Sequence, residues 1–184
     1  DDELYFTMRF QPTKEIPARA EILSAKLRVH GDSGTWKWSD SKSFLQLRAE
    51  LTTDAALVTS TSHHPVNDST RELTQPVRWP ASGGLVWDSM GWNLTPNIST
   101  LIQQVLDNDP TGISVGDNIQ LWLSGGNLED SEVGIEDFGS GSDNEAELDI
   151  EWQTCQAVNT PPYAAFVSAA TEESRHTPGS VITV

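Results

Sequence analysis

Residues 95–106, TPNISTLIQQVL, open the stretch that decides the fold, which ends in a strand-like run at 148–152. The apolar residues of this opening recur with the period of one helix face. They stand at i, i+3, i+4, i+7 and i+8: Ile98, Leu101, Ile102, Val105 and Leu106. The spacing predicts one amphipathic helix inside a chain that otherwise reads as strands.

The ends of this helix are also marked in the sequence. Thr95 or Asn97 can cap its start, Pro96 suits a first-turn position, and the DNDP run at 107–110 ends it. A helix lying on a membrane would carry Lys or Arg on its polar face, and none occurs between residues 96 and 109. We therefore expect the helix to pack on a protein core.

Elsewhere the apolar residues alternate with polar ones, which is the period of half-buried β-strands. Such runs occur at 4–10, 25–30, 45–51, 119–123, 133–135 and 148–152. Clusters of Gly, Pro, Asn and Asp separate them, as is typical of turns. The pattern predicts an all-β fold: an antiparallel, jelly-roll-like β-sandwich with one short α-helix.

The charge of the chain limits its partners. Its 27 acidic and 11 basic residues give a formal net charge of −16, and the sequence pI is near 4.3. Such a field repels nucleic acid. No apolar run is long enough to cross a bilayer. We expect neither nucleic-acid binding nor membrane insertion.

The 184 residues suit one domain with a tail. We predict a β-sandwich module at 1–153 and, at 154–184, a linker with a C-terminal strand extension whose strand candidates are 163–170 and 180–184. The chain opens on Asp1-Asp2-Glu3, with neither an initiator Met nor a signal peptide, which predicts processing from a longer precursor. We therefore expect an extracellular or cell-surface location.

No catalytic motif stands out, so we predict that the protein is not an enzyme. Carboxylates are too abundant for any pair to be nominated. His63 and His64 lie in a Ser/Thr-rich turn, and the sequence has no phosphate loop, nucleophile elbow or zinc spacing. Cys155 is the only cysteine, which excludes an internal disulfide. We interpret it as a plain thiol, with a disulfide between chains as the alternative.

A Gly-rich acidic segment can be interpreted as a Ca²⁺ site. Glu136, Asp137, Asp143 and Glu145 supply carboxylate oxygens, the ligands that Ca²⁺ prefers. Their spacing does not match an EF-hand loop. A solvated acidic turn is the alternative interpretation, and it needs no cofactor.

Two pairs of tryptophans lie in polar segments where nothing in the pattern demands burial. They are Trp36 with Trp38, and Trp87 with Trp92. Exposed Trp rings stack on sugars or anchor subunit interfaces. We predict a polysaccharide-binding or interface role for these residues, with packing in the core or at strand ends as the alternative.

Short motifs are spread along residues 4–153: FTMRF at 6–10, IPARAEI at 16–22, VRW at 77–79, TPNI at 95–98, LIQQV at 101–105 and GDN at 116–118. In this layout the chain resembles a β-sandwich module of large secreted and surface proteins of aquatic microbes, similar to DNRLRE-type modules and to non-catalytic carbohydrate-binding modules. Residues 172–184 resemble the opening of a Calx-β-type module. The resemblance implies a non-enzymatic, extracellular role.

The resemblance also implies that a sheet lacks a strand, because such modules usually carry one ahead of the strand at 4–10. An open sheet edge accepts a strand from elsewhere. We therefore predict a strand-exchange interface between an acceptor edge, Phe6, Met8 and Phe10, and a donated tail, Phe166, Val167, Val181 and Ile182. The alternatives are a tail that folds back on its own domain and a linker cut from a multi-module protein.

These features predict a structural or adhesive surface protein whose subunits polymerise into filaments by exchanging terminal strands. Its expected partners are copies of itself, other surface-protein modules and polysaccharide. The alternative is a calcium-assisted carbohydrate-binding module of a larger secreted protein.

Overall fold

The computed structural model describes residues 5–32, 43–58, 70–125, 134–135 and 144–154, all within the unit Asp1–Thr154. Its elements in chain order are β1 (Tyr5–Phe10), β2 (Ile16–Pro17), β3 (Ala20–His30), β4 (Leu45–Ala49), β5 (Val77–Trp79), β6 (Trp92–Leu94), α1 (Ser99–Asn108), β7 (Gly112–Ile113), β8 (Ile119–Gly125) and β9 (Glu147–Thr154). The strand candidates at 163–170 and 180–184 lie outside the described residues.

The strands form two main sheets. One has four strands in the order β1-β8-β4-β5, and the other has three in the order β6-β3-β9. A small two-stranded sheet joins β2 to β7. Every neighbouring pair is antiparallel. The predicted class is confirmed: the fold is all-β and sandwich-like, with one short helix among the described residues.

The core lies between the two main sheets and is built from alternate residues of their strands. In β3, Ala25, Leu27 and Val29 are buried, whereas Lys26 is exposed. The four-stranded sheet contributes alternate residues of β4 and β8 to the same hydrophobic cluster: Leu45, Leu47, Ala49, Ile119, Leu121 and Leu123. Burial of these side chains is the main favourable term in folding.

Helix α1 buries the four apolar residues that the period predicts for its length: Leu101, Ile102, Val105 and Leu106. Ile98 holds the N-cap position and makes no side-chain capping bond. Instead, Oδ1 of Asn97 accepts the N–H of Ser99 at 3.0 Å. Asn97 thus satisfies one of the free N–H groups of the first helical turn.

The helix and the residues leading into it close one edge of β3. Strand β6 covers this edge only at the end of β3, from Arg28 to His30. Elsewhere three side chains replace a neighbouring strand by accepting N–H groups of β3: Thr95 Oγ1 from Leu27 at 3.0 Å, Asn97 Oδ1 from Ala25 at 2.9 Å and Gln103 Oε1 from Ile22 at 2.9 Å. This edge is therefore satisfied without a further strand.

A buried ion pair fixes the segment that follows β4. Arg71 Nη1 donates to Glu50 Oε2 at 2.7 Å, and the two side chains are only 6% and 8% exposed. Arg71 Nη2 also donates to the carbonyl of Ala56 at 3.2 Å. Burial of two charges is tolerated only while each has its partner, because a lone buried charge loses its hydration without compensation.

Replacing Arg71 by Met should lower the free energy of unfolding by about 3–5 kcal/mol, because the Glu50 carboxylate is left buried alone. Urea denaturation followed by Trp fluorescence measures the loss. The control is Arg28→Met, which breaks the exposed Arg28–Glu147 pair and should cost only about 1 kcal/mol. Equal losses in the two variants would contradict the structural role of the buried pair.

Asp109 ties the end of α1 to two neighbouring segments. Its carboxylate accepts the Thr111 hydroxyl at 2.6 Å and the Thr111 N–H at 2.8 Å, and it accepts the Thr53 hydroxyl at 2.6 Å. The hydroxyl bond of Thr111, then that of Thr53, lowers the pKa of Asp109 below its ordinary value of 3.8. Both bonds favour the charged form.

Since the folded pKa of Asp109 lies below 3.8, its contribution to stability is present above that pH and is lost as the pH falls through the folded value. The Asp109→Asn variant should therefore lose less stability than the wild type on acidification below this pH. Thermal unfolding at a series of pH values tests this, with Asp107→Asn as the control at the same helix end. Identical acid dependence in all three proteins would contradict it.

Candidate functional site

One side of the sandwich is open between the two main sheets. A groove of about 290 Å³ lies there, bordered by β1, β2, β8, β9 and the loop 11–14. Its lining includes six large apolar side chains: Phe10, Ile16, Ile119, Leu148, Ile150 and Trp152. Lys14 and Asp149 are the charged residues of its lining. We call this feature the open groove.

Strands β1 and β9 border the open groove on opposite sheets. In the described part of the chain, each of them is an edge strand of its sheet. Strand β1 pairs with β8, and β9 pairs with β3. Between described residues, no hydrogen bond reaches the outer backbone edge of either strand. Both edges differ in this respect from the edge of β3 that Thr95, Asn97 and Gln103 close.

The inward side of β9 is only partly covered. Leu148 and Ile150 are half-buried, whereas their direct partners on β3, Leu27 and Ala25, are fully buried. Trp152, on the same side of β9, is also half-buried. Apolar surface left in water forfeits about 25 cal/mol per Å². Strand β9 therefore offers both backbone groups and apolar side chains to a further strand.

The predicted acceptor residues lie along β1. Phe6 is 38% exposed, while Met8 and Phe10 are partly buried against the core. Of the three, Phe10 lines the open groove. The predicted donor residues, Phe166, Val167, Val181 and Ile182, lie outside the described residues. Strand exchange between the two sets stays a prediction.

Of the four tryptophans predicted to bind polysaccharide or to form an interface, the structure describes Trp87 and Trp92. Trp87 is 4% exposed and packs on Trp79, with ring centroids 5.5 Å apart, so its burial contradicts a role in stacking on a sugar from solvent. The sequence around Trp87 is polar and does not predict burial. The ring is nevertheless buried, because Trp79 and the core pack over it. Trp36 and Trp38 lie outside the described residues.

Trp92 differs from Trp87 in being 39% exposed on the outer face of β6. The Arg28 guanidinium stands 4.5 Å from the centroid of its ring, and the His30 ring meets it edge-on at 5.2 Å. Arg28 also donates to Glu147 at 2.6 Å. Trp92 is thus an aromatic side chain fixed among polar groups at the surface.

The predicted Ca²⁺ ligands fall mostly outside the described residues, which exclude Glu136, Asp137 and Asp143. Glu145 is described and exposed. In the described ranges, no group of three or more His, Cys, Asp or Glu side chains could hold a metal ion. Cys155 also lies outside them.

The sequence pattern did not single out Leu148, Ile150 and Trp152 as site residues, although it predicted their strand. Their alternation is that of any half-buried strand. The signal that distinguishes them is their position at a sheet edge, which depends on long-range pairing. The helical period likewise does not distinguish Gln103 from the other polar residues of the helix.

The two facing sheets and the open groove define the described part of the chain as a β-sandwich-like domain with one open side. No family model matches the chain, and no curated protein matches it. The similarity to DNRLRE-type and carbohydrate-binding modules stays a prediction. In the described ranges, no helix has the length and apolar character needed to cross a membrane.

The open groove predicts unequal losses of stability when two leucines are replaced by alanine. The two are Leu27 of β3 and Leu148 of β9, which are direct cross-strand neighbours. In the monomeric chain, Leu27→Ala should lower the free energy of unfolding by about 2–5 kcal/mol. Leu148→Ala should cost clearly less, because part of its side chain already lies in water. Urea denaturation at low protein concentration measures both variants, and equal losses would contradict an open groove.

Proposed function

We propose that the protein is a non-enzymatic, extracellular structural or adhesive surface component whose subunits join by exchanging terminal strands. One observation carries the proposal: one edge strand from each main sheet, β1 and β9, borders the same open groove. A strand donated there would lie beside both sheets at once.

Two physical contributions would act together in such a contact. An unpaired sheet edge is a template for a strand from another chain. Because pairing exchanges hydrogen bonds to solvent for hydrogen bonds to the donor, each such bond adds only about 0.5–1.5 kcal/mol. The half-buried Leu148, Ile150 and Trp152 add apolar surface that a donated strand would cover. The combination favours a strand with an apolar face.

The arrangement of donor and acceptor on one chain favours a polymer. Residues 155–184 directly follow β9 and contain the strand candidates at 163–170 and 180–184. Each copy would then supply one donor and one acceptor, which is a heterologous, head-to-tail contact. Such contacts form a ring when the rotation closes and a filament when it does not.

The acidic composition supports a surface role. A net charge of −16 makes copies of the chain repel one another in solution. Association would therefore depend on a specific contact rather than on nonspecific attraction. The resemblance to secreted surface modules supports the extracellular location. The proposed partners are copies of the chain, other surface-protein modules and polysaccharide.

A second candidate function is calcium-assisted binding of polysaccharide, and the exposure of Trp92 favours it. Its ring reaches solvent while Arg28 and Glu147 place polar groups beside it. Aromatic surface next to hydrogen-bonding groups is the arrangement that binds amphipathic rings. The stacked Arg28 leaves less of the ring free, which ranks this function second.

Deleting residues 156–184 should abolish assembly, because the donor strand is removed while the described core stays intact. The measurement is the native mass by light scattering with negative-stain imaging, for the full-length and 1–155 chains, each with and without a chelator. Filaments formed by the truncated chain would contradict strand donation. Monomers in every condition would favour sugar binding, which a glycan array then tests with Trp92→Ala and the control Leu94→Ala.

A further inference from the structure

We infer that the open groove receives residues 163–170 of a second copy as a strand beside β9, with Phe166 as the side chain that fills the groove. This inference rests on the strand exchange proposed above. It specifies the surface that accepts the strand and the residues that form it.

The shape of the segment fits the volume of the groove. Residues 163–170 read YAAFVSAA, and in a strand Phe166 shares one face with Ala164 and Ser168. One large side chain is thus flanked by small ones. A cavity of about 150 Å³ holds a benzene ring, so a groove of about 290 Å³ has room for one aromatic ring and its small neighbours.

The chemistry of the groove wall suits this face. Leu148, Ile150 and Trp152 present half-buried apolar surface along one side. Phe10 closes the opposite side from β1. An aromatic ring entering between them would meet apolar and aromatic surface, which favours offset or edge-on ring contacts.

Charge selects the same segment. Strand β9 carries exposed acidic residues, Glu147, Asp149 and Glu151. Glu147 is paired with Arg28, so an acidic donor would be repelled mainly beside Asp149 and Glu151. Residues 163–170 contain no charged side chain, whereas Glu172 and Glu173 follow them. The uncharged stretch can lie beside β9, and the glutamates mark where pairing would stop.

The residues before the segment favour a second copy over the chain's own groove. A return to its own β9 would need a loop at 155–162, which exceeds the usual hairpin length of about 2–5 residues. Within that loop, Thr160-Pro161-Pro162 favours extended backbone, because proline fixes φ and restricts the residue before it. An extended stretch is a poor reversing turn, so this sequence favours the groove of a second copy as the acceptor.

Photo-cross-linking in the full-length chain tests whether Phe166 lies in the open groove of a second copy, without assuming a strand register. The photoreactive residue p-benzoylphenylalanine replaces Phe166, and this chain is mixed with an isotope-labelled wild-type chain, irradiated and mapped by mass spectrometry. We expect cross-links to residues 10–16 or 148–152 of the labelled copy. The same probe in place of Glu173 is the control and should not label the groove.

Each other outcome overturns the inference. Cross-links to the groove of the probe-bearing chain itself would replace the second copy by the chain's own tail. Cross-links to other residues, or no cross-links, would show that the open groove is not the binding site of residues 163–170. The native mass of the unmodified chain is measured in parallel: filaments without groove cross-links overturn this inference alone, whereas monomers overturn the proposed assembly as well.

A pair of tail variants provides a second test that leaves the described core, Ile16 to Trp152, unaltered. Phe166→Asp should weaken association by roughly ten- to hundredfold, because it removes the burial of an aromatic side chain and adds a charge beside acidic β9. Phe166→Leu should retain most of the association. Sedimentation over a range of concentrations measures both, and wild-type association of Phe166→Asp would overturn the inference.

Discussion

The hydrogen bonding of the β3 backbone is the constraint on which the rest of the described sandwich depends. This strand is 11 residues long and is paired with β9 along one side. A buried backbone group without a partner costs about as much as a lost hydrogen bond, so the other side needs cover as well. The cover comes from Thr95, Asn97 and Gln103, which place α1 against the core. The apolar stripe of the helix and the polar residues that lead into it therefore both fix where α1 lies against the core.

The chain thus contains two different solutions for a sheet edge. The edge of β3 is closed by side chains of the same domain, whereas the outer edge of β9 has no such partner among the described residues. The outward residues of β9, Glu147, Asp149 and Glu151, are acidic, and charges on an edge strand discourage indiscriminate pairing. Together with the apolar inward residues, they make an edge that admits few kinds of strand.

Much of this architecture could be predicted from periodicity. The stripe from Leu101 to Leu106 predicted α1, and the alternating runs predicted β1, β3, β4, β8 and β9, since each of these elements is long enough to show its period. Strands β2, β5, β6 and β7 are only two or three residues long, so they carry no readable period. Their existence follows from pairing with distant strands.

The site was less predictable for a related reason. Trp87 lies in a polar loop and is buried because Trp79, eight positions earlier, packs against it. Leu148 and Ile150 alternate as β3 does, yet they are half-buried because β9 lies at an edge. Both outcomes depend on which elements meet in three dimensions, and local pattern does not contain that information.

Under the proposed strand exchange, subunit stability and assembly are one equilibrium. A ligand that binds only the folded state stabilises it by RT ln(1 + [L]/Kd), and a donated strand is such a ligand. The lone subunit keeps Leu148, Ile150 and Trp152 partly in water, so it lacks stability that the filled groove would supply. The acidic charge acts in the opposite direction by holding copies apart. The balance between groove burial and charge repulsion would then set the salt dependence of assembly, because salt screens the repulsion between exposed charges and leaves apolar burial in place.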